Sequence, residues 1–515
     1  MLQRGETSIY STLQNTMTEE LKSILLARVY DVAIESPLTP APKLSAAGGV
    51  NVYLKREDLQ PVHSFKLRGA YNKITSLTPE ERSKGIIAAS AGNHAQGVAL
   101  SAARLGITAT IVMPRTTPQI KVDAVRSHDA EVVLTGDSFN DAFAHAQELV
   151  ERFGATFVHP FDDPAVIAGQ GTVGREILEQ LPDVTHIFVP VGGGGLLAGI
   201  ALYVKELRPE VRVIGVEPSD SNVMQQSLRA GERVQLDHVG IFADGVAVKR
   251  AGEHTFRIAK RYVDDVLTVS TDEICAAIKA VFEDTRSIVE PAGALAAAGV
   301  MQSSLPDGAH AVAICSGANM SFERLQQVAE RTLIGSGKEV LVAVTLPERP
   351  GALRTFCTEV VGDHSITEFN YRLNARNSAH VLVGLSVSSA ADREAFHARM
   401  SEYGYEHRDL SGDDIAKEHI RHMIGGPSTG ARDEHLYQVN FPERPGALGE
   451  FLETLGTEWN ISAFHYRSQA SDTGNVLIGF EASDRGALES RLDETGYEWI
   501  GIDGLESVEV FLGAG

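Results

Sequence analysis

The sequence predicts an α/β fold over about its first 335 residues, followed by two small α+β domains. Two patterns carry this prediction. Short apolar runs alternate with helix-like segments from about residue 50 to residue 335, and beyond that point one stretch of sequence returns at a constant spacing of 95 residues. With 515 residues, of which 43% are hydrophobic, the chain is long enough for three or four domains that each bury a core.

The alternating region contains apolar runs of strand length, and segments with helical periodicity follow them. Residues 85–90 precede the helix-like segment 93–106, 108–114 form a further strand, and 186–191 precede LLAGIALYVKEL, with 211–217 as the next strand. Continuously apolar strands that alternate with helices indicate a parallel sheet covered on both faces. We therefore expect parallel sheet throughout this region.

An internal duplication follows the α/β region. LPERPGAL (346–353) returns as FPERPGAL, FNYR (369–372) as FHYR, and VLVGLSV (381–387) as VLIGFEA. Each copy has the order strand, turn, helix, strand, turn, strand, helix, which is typical of a small ferredoxin-like α+β unit. The predicted divisions of the chain are 1–335, 338–410, 411–433 (a helix and a Gly/Pro/Ser linker) and 434–515.

Composition narrows the classes of partner and location. The net charge of −22 argues against nucleic acid and anionic membranes, because both bind basic surfaces. No apolar stretch approaches the ~18 residues of a membrane span, and the first twenty residues lack the apolar core of a targeting signal. The three cysteines are widely separated and the histidines form no HExxH motif. We therefore expect a cytoplasmic protein without a catalytic metal.

Lys66 is the first candidate for chemistry. It lies in PVHSFKLRGAYNKI (61–74), where Ser64 is a plausible N-cap that places Lys66 in the first turn of a helix. The positive end of the helix and partial burial both disfavour the ammonium form, and a neutral lysine can form a Schiff base with a carbonyl group. An isolated lysine is usually a solvated surface residue, so this interpretation depends on the neighbouring motifs.

A glycine-rich turn at Gly192–Leu196 follows the apolar run 186–191 and opens a helix. Such a turn can cradle a phosphate, because glycines let backbone N–H groups approach an anion closely. The same stretch satisfies the dinucleotide pattern GxGxxA, and Glu217 ends the next strand about twenty residues later. A dinucleotide, another phosphate ligand and a purely structural turn all stay open, although the mid-chain position argues against the dinucleotide.

Two further strand-to-helix turns carry polar residues. SAGNHAQG (90–97) places Asn93 and His94 at the start of a helix, where they face a ligand or only cap the helix. CSGAN (315–319) follows an apolar strand and places Ser316 at the same kind of sheet edge, a position where a serine is usually a turn residue. The carboxyl ends of parallel strands are where ligands bind in α/β folds.

Together, SFKLRGA, SAGNHAQG, GGGGL and CSGAN, in this order, make the chain resemble the fold-type II (tryptophan synthase β-like) pyridoxal-phosphate enzymes, and most closely the threonine ammonia-lyases, also called threonine dehydratases. The resemblance spans about residues 25–335 and includes IVEPAGA (288–294). The duplicated region resembles the paired ACT-like regulatory domains of the biosynthetic form. The resemblance implies a catalytic region of two parallel-sheet subdomains, followed by two ferredoxin-like, ACT-like domains.

The resemblance also implies residue roles. Lys66 would hold pyridoxal 5′-phosphate as a Schiff base and act as the general base. Asn93 would bind the ring 3′-oxygen and Ser316 the pyridine nitrogen. The remaining roles are the phosphate site at Gly192, Gly193, Gly194, Gly195 and Leu196, and the substrate carboxylate site at Ser90, Ala91, Gly92, Asn93 and His94. Related serine racemases carry a second serine base at the position of Ala91, so racemisation is disfavoured here.

The implied activity is β-elimination of water from L-threonine, giving 2-oxobutanoate and ammonia, with L-serine as a poorer substrate. This would be the first committed step of isoleucine biosynthesis, with feedback by isoleucine, opposition by valine and a homotetrameric assembly. Tyr371 and Tyr466, in the matching FNYR and FHYR blocks, are the candidate effector contacts. Either tyrosine could instead pack a sheet face, and the repeat could instead be a dimerisation module.

Several alternatives stay open at this point. Within the same enzyme class they are a serine dehydratase, a threonine synthase and a cysteine synthase-like enzyme. The glycine motif alone supports a nicotinamide-dependent oxidoreductase. A non-catalytic amino-acid sensor on an enzyme scaffold is a further possibility, against which the presence of Lys66 argues, since a sensor needs no Schiff-base lysine.

Overall fold

The structure is a computed structural model that describes residues 17–322, 324–347, 355–371, 378–422, 433–442, 447–456, 458–466 and 473–512. The chain divides into two compact units, 1–322 and 323–515. The sequence placed the end of the first region at residue 335, whereas the helix Arg324–Gly335 falls in the second unit. Arg331 of this helix pairs there with Asp414 and Glu418.

The first unit alternates strands and helices. Its strands are β1 (Leu38–Pro40), β2 (Asn51–Arg56), β3 (Ile86–Ala89), β4 (Ala109–Met113), β5 (Glu131–Leu134), β6 (Thr156–Phe157), β7 (His186–Pro190), β8 (Arg212–Pro218), β9 (Asp265–Val269) and β10 (His310–Cys315). Its α-helices are α1 (Glu19–Leu25), α2 (Pro42–Gly48), α3 (Lys66–Thr75), α4 (Pro79–Ser83), α5 (Asn93–Leu105), α6 (Gln119–Arg126), α7 (Phe139–Phe153), α8 (Pro164–Gln180), α9 (Gly195–Leu207), α10 (Val223–Ala230), α11 (Glu253–Tyr262), α12 (Thr271–Thr285) and α13 (Pro291–Gln302). Short 3-10 turns lie at Glu57–Leu59 and Asp244–Val246.

Two sheets organise this unit. One has six strands in the order β1-β2-β10-β7-β8-β9, parallel except for the antiparallel edge strand β1, and the other is a fully parallel sheet in the order β5-β4-β3-β6. Strands β3 and β7 are buried along their whole length, as expected for strands covered on both faces. The predicted α/β fold with two parallel-sheet subdomains is confirmed.

The second unit contains two copies of one antiparallel arrangement. Its strands are β11 (Glu339–Pro347), β12 (Ile366–Tyr371), β13 (Ser378–Ser386), β14 (His407–Asp409), β15 (Glu434–Pro442), β16 (Asn460–Tyr466), β17 (Thr473–Glu481) and β18 (Trp499–Gly501). Its helices are α14 (Arg324–Gly335), α15 (Ala390–Glu402), α16 (Asp414–Glu418), α17 (Ala447–Leu455), α18 (Arg485–Glu494) and α19 (Glu506–Phe511), with a π-helical turn at Phe356–Val361 and a 3-10 turn at Ile420–His422.

The two copies share their topology down to local detail. The sheet orders are β12-β13-β11-β14 and β16-β17-β15-β18, which is the ferredoxin-like order in both cases. Each copy has an irregularity at the same place in its second strand, after Ile366 and after Ile461. The predicted duplication of an α+β unit is therefore confirmed. The Pro-Gly turns of both copies, and residues 423–432 of the predicted linker, lie outside the described residues.

Each copy buries one face of its sheet against its own helices, and the other face also carries apolar side chains. In β11, Val340, Val342 and Val344 pack on the helical side, while Leu341 and Ala343 join a second cluster that contains residues of both copies. This alternation is what a strand with two covered faces requires. Among the described helices of the chain, none is long and apolar enough to cross a membrane.

Candidate active site

Lys66 is the first residue of helix α3. Its Nζ donates a hydrogen bond to the carbonyl oxygen of Pro160 at 3.0 Å and lies 5.4 Å from the centre of the Phe65 ring. Burial lowers the pKa of Lys66 to about 8, although the nearby carboxyl of Glu290 acts in the opposite direction. A substantial fraction of this amine is therefore neutral near pH 8, as a Schiff-base nucleophile must be.

The cap that we expected for this helix is wrong. Phe65, not Ser64, precedes the first helical residue, and no side chain caps the helix. Ser64 instead forms an isolated backbone bridge with Gly317, and its buried hydroxyl has no hydrogen-bond partner within the described part of the chain. A hydroxyl in this state is available to a polar group bound close by.

Helix α3 is held in place by a buried cluster of charged side chains. The guanidinium of Arg68, two residues after Lys66, bonds Glu57 at 2.8 Å through both Nε and Nη2, and it also bonds Glu176. Lys55 adds a second cation at 2.6 Å from Glu176. All four side chains are fully buried or nearly so, and their charges balance. Two cations and two carboxylates thus hold the helix that presents Lys66.

The glycine turn has a shape that side chains would destroy. A Cβ on Gly193 would lie 2.3 Å from Cγ of Phe161, and a Cβ on Gly195 would lie 3.0 Å from the Phe161 carbonyl oxygen. Gly194 has a φ of +94°, which disfavours any residue with a side chain. The turn ends in α9, whose first N–H groups have no carbonyl partner in a preceding helical turn. These groups can receive an anion.

Lys66 and the glycine turn both contact the short segment that begins at Pro160. Pro160 accepts the hydrogen bond of Lys66, and the next residue, Phe161, packs against Gly193. Asp162 then binds the first N–H groups of α11, and Thr255 of that helix donates to the Gly193 carbonyl oxygen at 2.6 Å. The supporting roles of this segment are not evident in the sequence, because its partners lie far away in the chain.

Glu217 removes the dinucleotide alternative. A dinucleotide site needs this carboxylate free for a ribose hydroxyl. Here Glu217 is 0% exposed and accepts the backbone N–H groups of Met224 and Gln225 at 2.8 and 2.9 Å, at the start of α10. Burial raises its pKa to about 8. The carboxyl group is thus occupied within the fold.

Asn93 is the first residue of α5, and its side chain does not cap the helix. Its Nδ2 donates to Oε1 of Glu290 at 2.6 Å, and its Oδ1 accepts from Nδ2 of Asn319 at 2.7 Å. Gly92 is the residue before the helix, and no side chain caps it. The capping interpretation of this segment is therefore wrong. Helix α5 also lies directly on α3, since a Cβ on Gly97 would be 3.0 Å from the carbonyl carbon of Lys66.

Ser316 is buried at the carboxyl end of β10. Its carbonyl oxygen accepts the N–H of Phe65 at 3.2 Å, which joins this loop to the residue before Lys66. Its hydroxyl donates a long hydrogen bond to the Ala292 carbonyl oxygen, at 3.3 Å. This weak bond can be exchanged for a bond to a better acceptor.

The segment Ser90–His94 combines backbone donors with a side chain that is already occupied. The Gly92 N–H donates to Ser90 Oγ at 3.2 Å. His94 is buried, and its Nε2 lies 2.8 Å from the Val158 carbonyl oxygen, so this nitrogen carries the hydrogen. Burial and the charge of Lys66 lower the pKa of His94 to about 3. The ring is neutral, and its Nε2 is already occupied by this hydrogen bond.

These features fit pyridoxal phosphate. The glycine turn leaves room only for backbone next to Phe161, and Lys66 forms no ion pair among the described residues that would hold its ammonium form. A neutral hydroxyl at Ser316 suits a pyridine nitrogen, and the side-chain N–H groups of Asn93 suit a phenolic oxygen. Such a set of donors needs no metal, and the described residues contain no cluster of three potential metal ligands.

Comparison with known proteins shows the family of this chain. Residues 29–317 match the family described as pyridoxal-phosphate dependent enzymes. Residues 330–420 and 425–512 each match the C-terminal regulatory domain of threonine dehydratase. The chain therefore belongs to the pyridoxal-phosphate dependent enzymes.

Similar proteins show to which group within this family the chain belongs. The chain is 52% identical over 501 residues to a Burkholderia multivorans protein named L-threonine dehydratase biosynthetic IlvA, covering 96% of this chain and 99% of that protein. The Escherichia coli protein of the same name is 49% identical, with 93% and 94% coverage. The solved structure of a processed threonine deaminase isoform from Solanum lycopersicum is 52% identical, with a TM-score of 0.59, and covers 61% of this chain and 92% of that chain. Within the family, the chain belongs with the biosynthetic threonine dehydratases.

The candidate effector tyrosines occupy equivalent positions. Tyr371 ends β12 opposite Val381, and Tyr466 ends β16 opposite Val476. The same 95-residue spacing therefore relates both the tyrosines and their partners. Their side chains lie outside the described residues, so the effector contacts stay a prediction.

Proposed function

We propose that this protein eliminates water from L-threonine to give 2-oxobutanoate and ammonia, with L-serine as a poorer substrate. The observation that carries the proposal is Lys66, a lysine with a pKa near 8 that shares the segment 160–161 with a glycine phosphate cradle. The names of relatives that are about half identical over nearly the whole chain support threonine as the substrate.

In this proposal the protein positions the substrate and the cofactor and transfers the α-proton. When bound, pyridoxal phosphate would join the substrate amine and accept the electrons of the broken Cα–H bond. The backbone N–H groups of Ser90–His94 would hold the substrate carboxylate, and Lys66 Nζ would take the α-proton as general base. Ala91 carries only a methyl group, so it cannot deliver a proton to the opposite face of Cα. This absence of a second base disfavours racemisation.

The other site residues would bind the cofactor. Gly192, Gly193, Gly194, Gly195 and Leu196 would bind the phosphate group through backbone N–H groups. Asn93 would bind the 3′-oxygen, and Ser316 the pyridine nitrogen. A neutral serine leaves this nitrogen largely unprotonated, which favours elimination over transamination.

The second unit would make this reaction a regulated first step of isoleucine biosynthesis. Its match to a regulatory domain supports an amino acid as the effector. We expect isoleucine to inhibit, valine to oppose it, Tyr371 and Tyr466 to contact the effector, and the enzyme to be a homotetramer. A cytoplasmic location is part of the proposal, and the absence of a disulfide at Cys275, Cys315 or Cys357 is consistent with it.

One assay tests the activity. Formation of 2-oxobutanoate from threonine is measured with and without isoleucine, beside formation of pyruvate from serine. A higher kcat/KM for threonine and inhibition by isoleucine are the expected results. A higher kcat/KM for serine would instead identify a serine dehydratase, and absence of keto acid from the cofactor-loaded protein would favour an amino-acid sensor.

A further inference from the structure

Asn93 is held at both ends of its amide by two other residues. Asn319 Nδ2 donates to Asn93 Oδ1 at 2.7 Å, and Asn93 Nδ2 donates to Glu290 Oε1 at 2.6 Å. The backbone N–H of Asn319 also bonds the Glu290 carboxyl, which closes a ring of three residues. The ring joins the start of α5, the residue before α13 and the loop after β10.

This ring fixes the orientation of the Asn93 amide. If the amide flipped, its NH2 group would face the NH2 of Asn319, and its oxygen would face a carboxyl oxygen of Glu290. Both contacts would be repulsive. In the observed orientation, Asn93 Nδ2 uses one hydrogen on Glu290 and keeps the other for a ligand.

The Glu290 side chain contacts Asn93 and does not cap helix α13. It immediately precedes α13, yet its side chain makes no capping hydrogen bond, and the residue is 5% exposed. A Cβ on Gly317 would lie 2.4 Å from Glu290 Oε1, so the glycine after Ser316 leaves the room that the carboxyl needs. Asn319 is anchored in turn by a second bond, from its Nδ2 to the Val62 carbonyl oxygen at 2.8 Å.

We propose that Glu290 and Asn319 are positioning residues of this enzyme, which hold the Asn93 amide so that one N–H group stays free for the 3′-oxygen of pyridoxal phosphate. The proposal rests on the role assigned to Asn93 in the proposed function. Glu290 and Asn319 act through Asn93, so their removal should change how the cofactor is bound before it changes the reaction. The backbone N–H of Glu290 also donates to the carbonyl oxygen of Gly317 at 3.1 Å, so Glu290 contacts the residue next to Ser316 as well as Asn93.

The test is a double-mutant cycle read by cofactor binding. Apoenzyme of the native chain, Glu290→Ala, Asn93→Ala and the double variant is titrated with pyridoxal phosphate, and the visible absorption band of each complex is recorded. We expect Glu290→Ala to raise the Kd about tenfold, the loss of one hydrogen bond, and to shift the band. Glu290→Gln keeps one acceptor oxygen and should show a smaller effect.

The cycle separates a positioning role from a structural one. If Glu290 acts through Asn93, replacing it in the Asn93→Ala background should leave the Kd and the band nearly unchanged. An equal change of Kd in both backgrounds would overturn the proposal. Asn319→Ala opens the ring from the other side and should shift the band in the same direction, which keeps the test decisive if Glu290→Ala does not fold. If native apoenzyme binds no cofactor, the proposed function fails, and the positioning role falls with it.

Discussion

At the scale of single residues, the proposed chemistry depends on the protonation of Lys66. Desolvation brings its pKa down to about 8, and the hydrogen bond to Pro160 orients the amine without stabilising a charge as a carboxylate would. Glu290 opposes the shift, and its own pKa is raised to about 7, first by burial and then by the carboxylate of Asp244. Glu290 is therefore near its midpoint at pH 7, whereas Lys66 reaches its midpoint near pH 8.

This titration predicts the pH dependence of cofactor uptake. Only the neutral amine attacks the aldehyde, so the rate constant for uptake by apoenzyme should rise about tenfold per pH unit below 8 and level off above it. Stopped-flow absorbance measures this rate. Pyridoxine 5′-phosphate, which lacks the aldehyde, is the control ligand, and its binding should not follow this curve. A flat uptake rate between pH 6 and 9 would contradict the lowered pKa.

At the scale of elements, the glycine turn and helix α3 are held by contacts that can be tested separately. The turn depends on close backbone approach to Phe161, and the helix depends on the buried charges of Arg68, Glu57, Glu176 and Lys55. The first contact shapes the proposed phosphate site, and the second stabilises the helix that begins at Lys66.

Gly193→Ala should impair the phosphate cradle. Its Cβ would lie 2.3 Å from Phe161 Cγ, so either the ring or the turn must move. We expect the Kd for pyridoxal phosphate to rise about tenfold or more, the cost of a modest overpacking. Gly48→Ala is the matched control, since the nearest atom to its Cβ would be 3.7 Å away and Gly48 is the last residue of α2, which carries no site residue. Equal affinities in both variants would show that the turn does not bind the phosphate.

Arg68→Met should destabilise the first unit strongly. It leaves Glu57 and Glu176 buried with a single compensating cation, Lys55, so we expect a loss of about 3–5 kcal/mol in the free energy of unfolding. Urea denaturation of apoenzyme measures it. Arg175→Met breaks an exposed pair with Glu179 on α8 and should cost only about 0.5 kcal/mol. Similar losses in the two variants would argue against a role for the buried cluster.

The sequence predicts local motifs better than it predicts their partners. Lys66 begins a helix, and the glycine turn and Ser316 follow apolar strands, so each of these positions can be recognised from its neighbours in the chain. The proposed roles of Glu290 and Asn319 cannot be predicted in this way, since Glu290 contacts Asn93 across 197 positions of the chain. The sequence also does not reveal the position of Ser64, because the backbone of Ser64 pairs with distant Gly317 and not with α3. Likewise, only the structure shows that Glu217 is buried.

At the scale of the whole molecule, a catalytic unit is followed by a duplicated unit of a different fold. The duplication was evident from three blocks in constant register, and the two sheets repeat one strand order. The boundary between the units is harder to predict from the sequence, because α14 has the pattern of any amphipathic helix. Its membership of the second unit follows from the ion pairs of Arg331 with Asp414 and Glu418.

Regulation should depend on the equivalent tyrosines of the two copies. We expect Tyr371→Ala and Tyr466→Ala each to raise the isoleucine concentration for half inhibition by about tenfold, the effect of losing a good contact. Tyr403→Ala, at an exposed position of the same unit, is the control and should leave this concentration unchanged. Unaltered inhibition in both strand variants would place the effector elsewhere.

Reduction with borohydride followed by peptide mapping tests the central claim most directly, because it converts a Schiff base into a stable bond. We expect the holoenzyme to carry one reduced cofactor, attached to the peptide that contains Lys66. Attachment to a different lysine, or no attachment after reduction of a fully loaded protein, would contradict the assignment of Lys66.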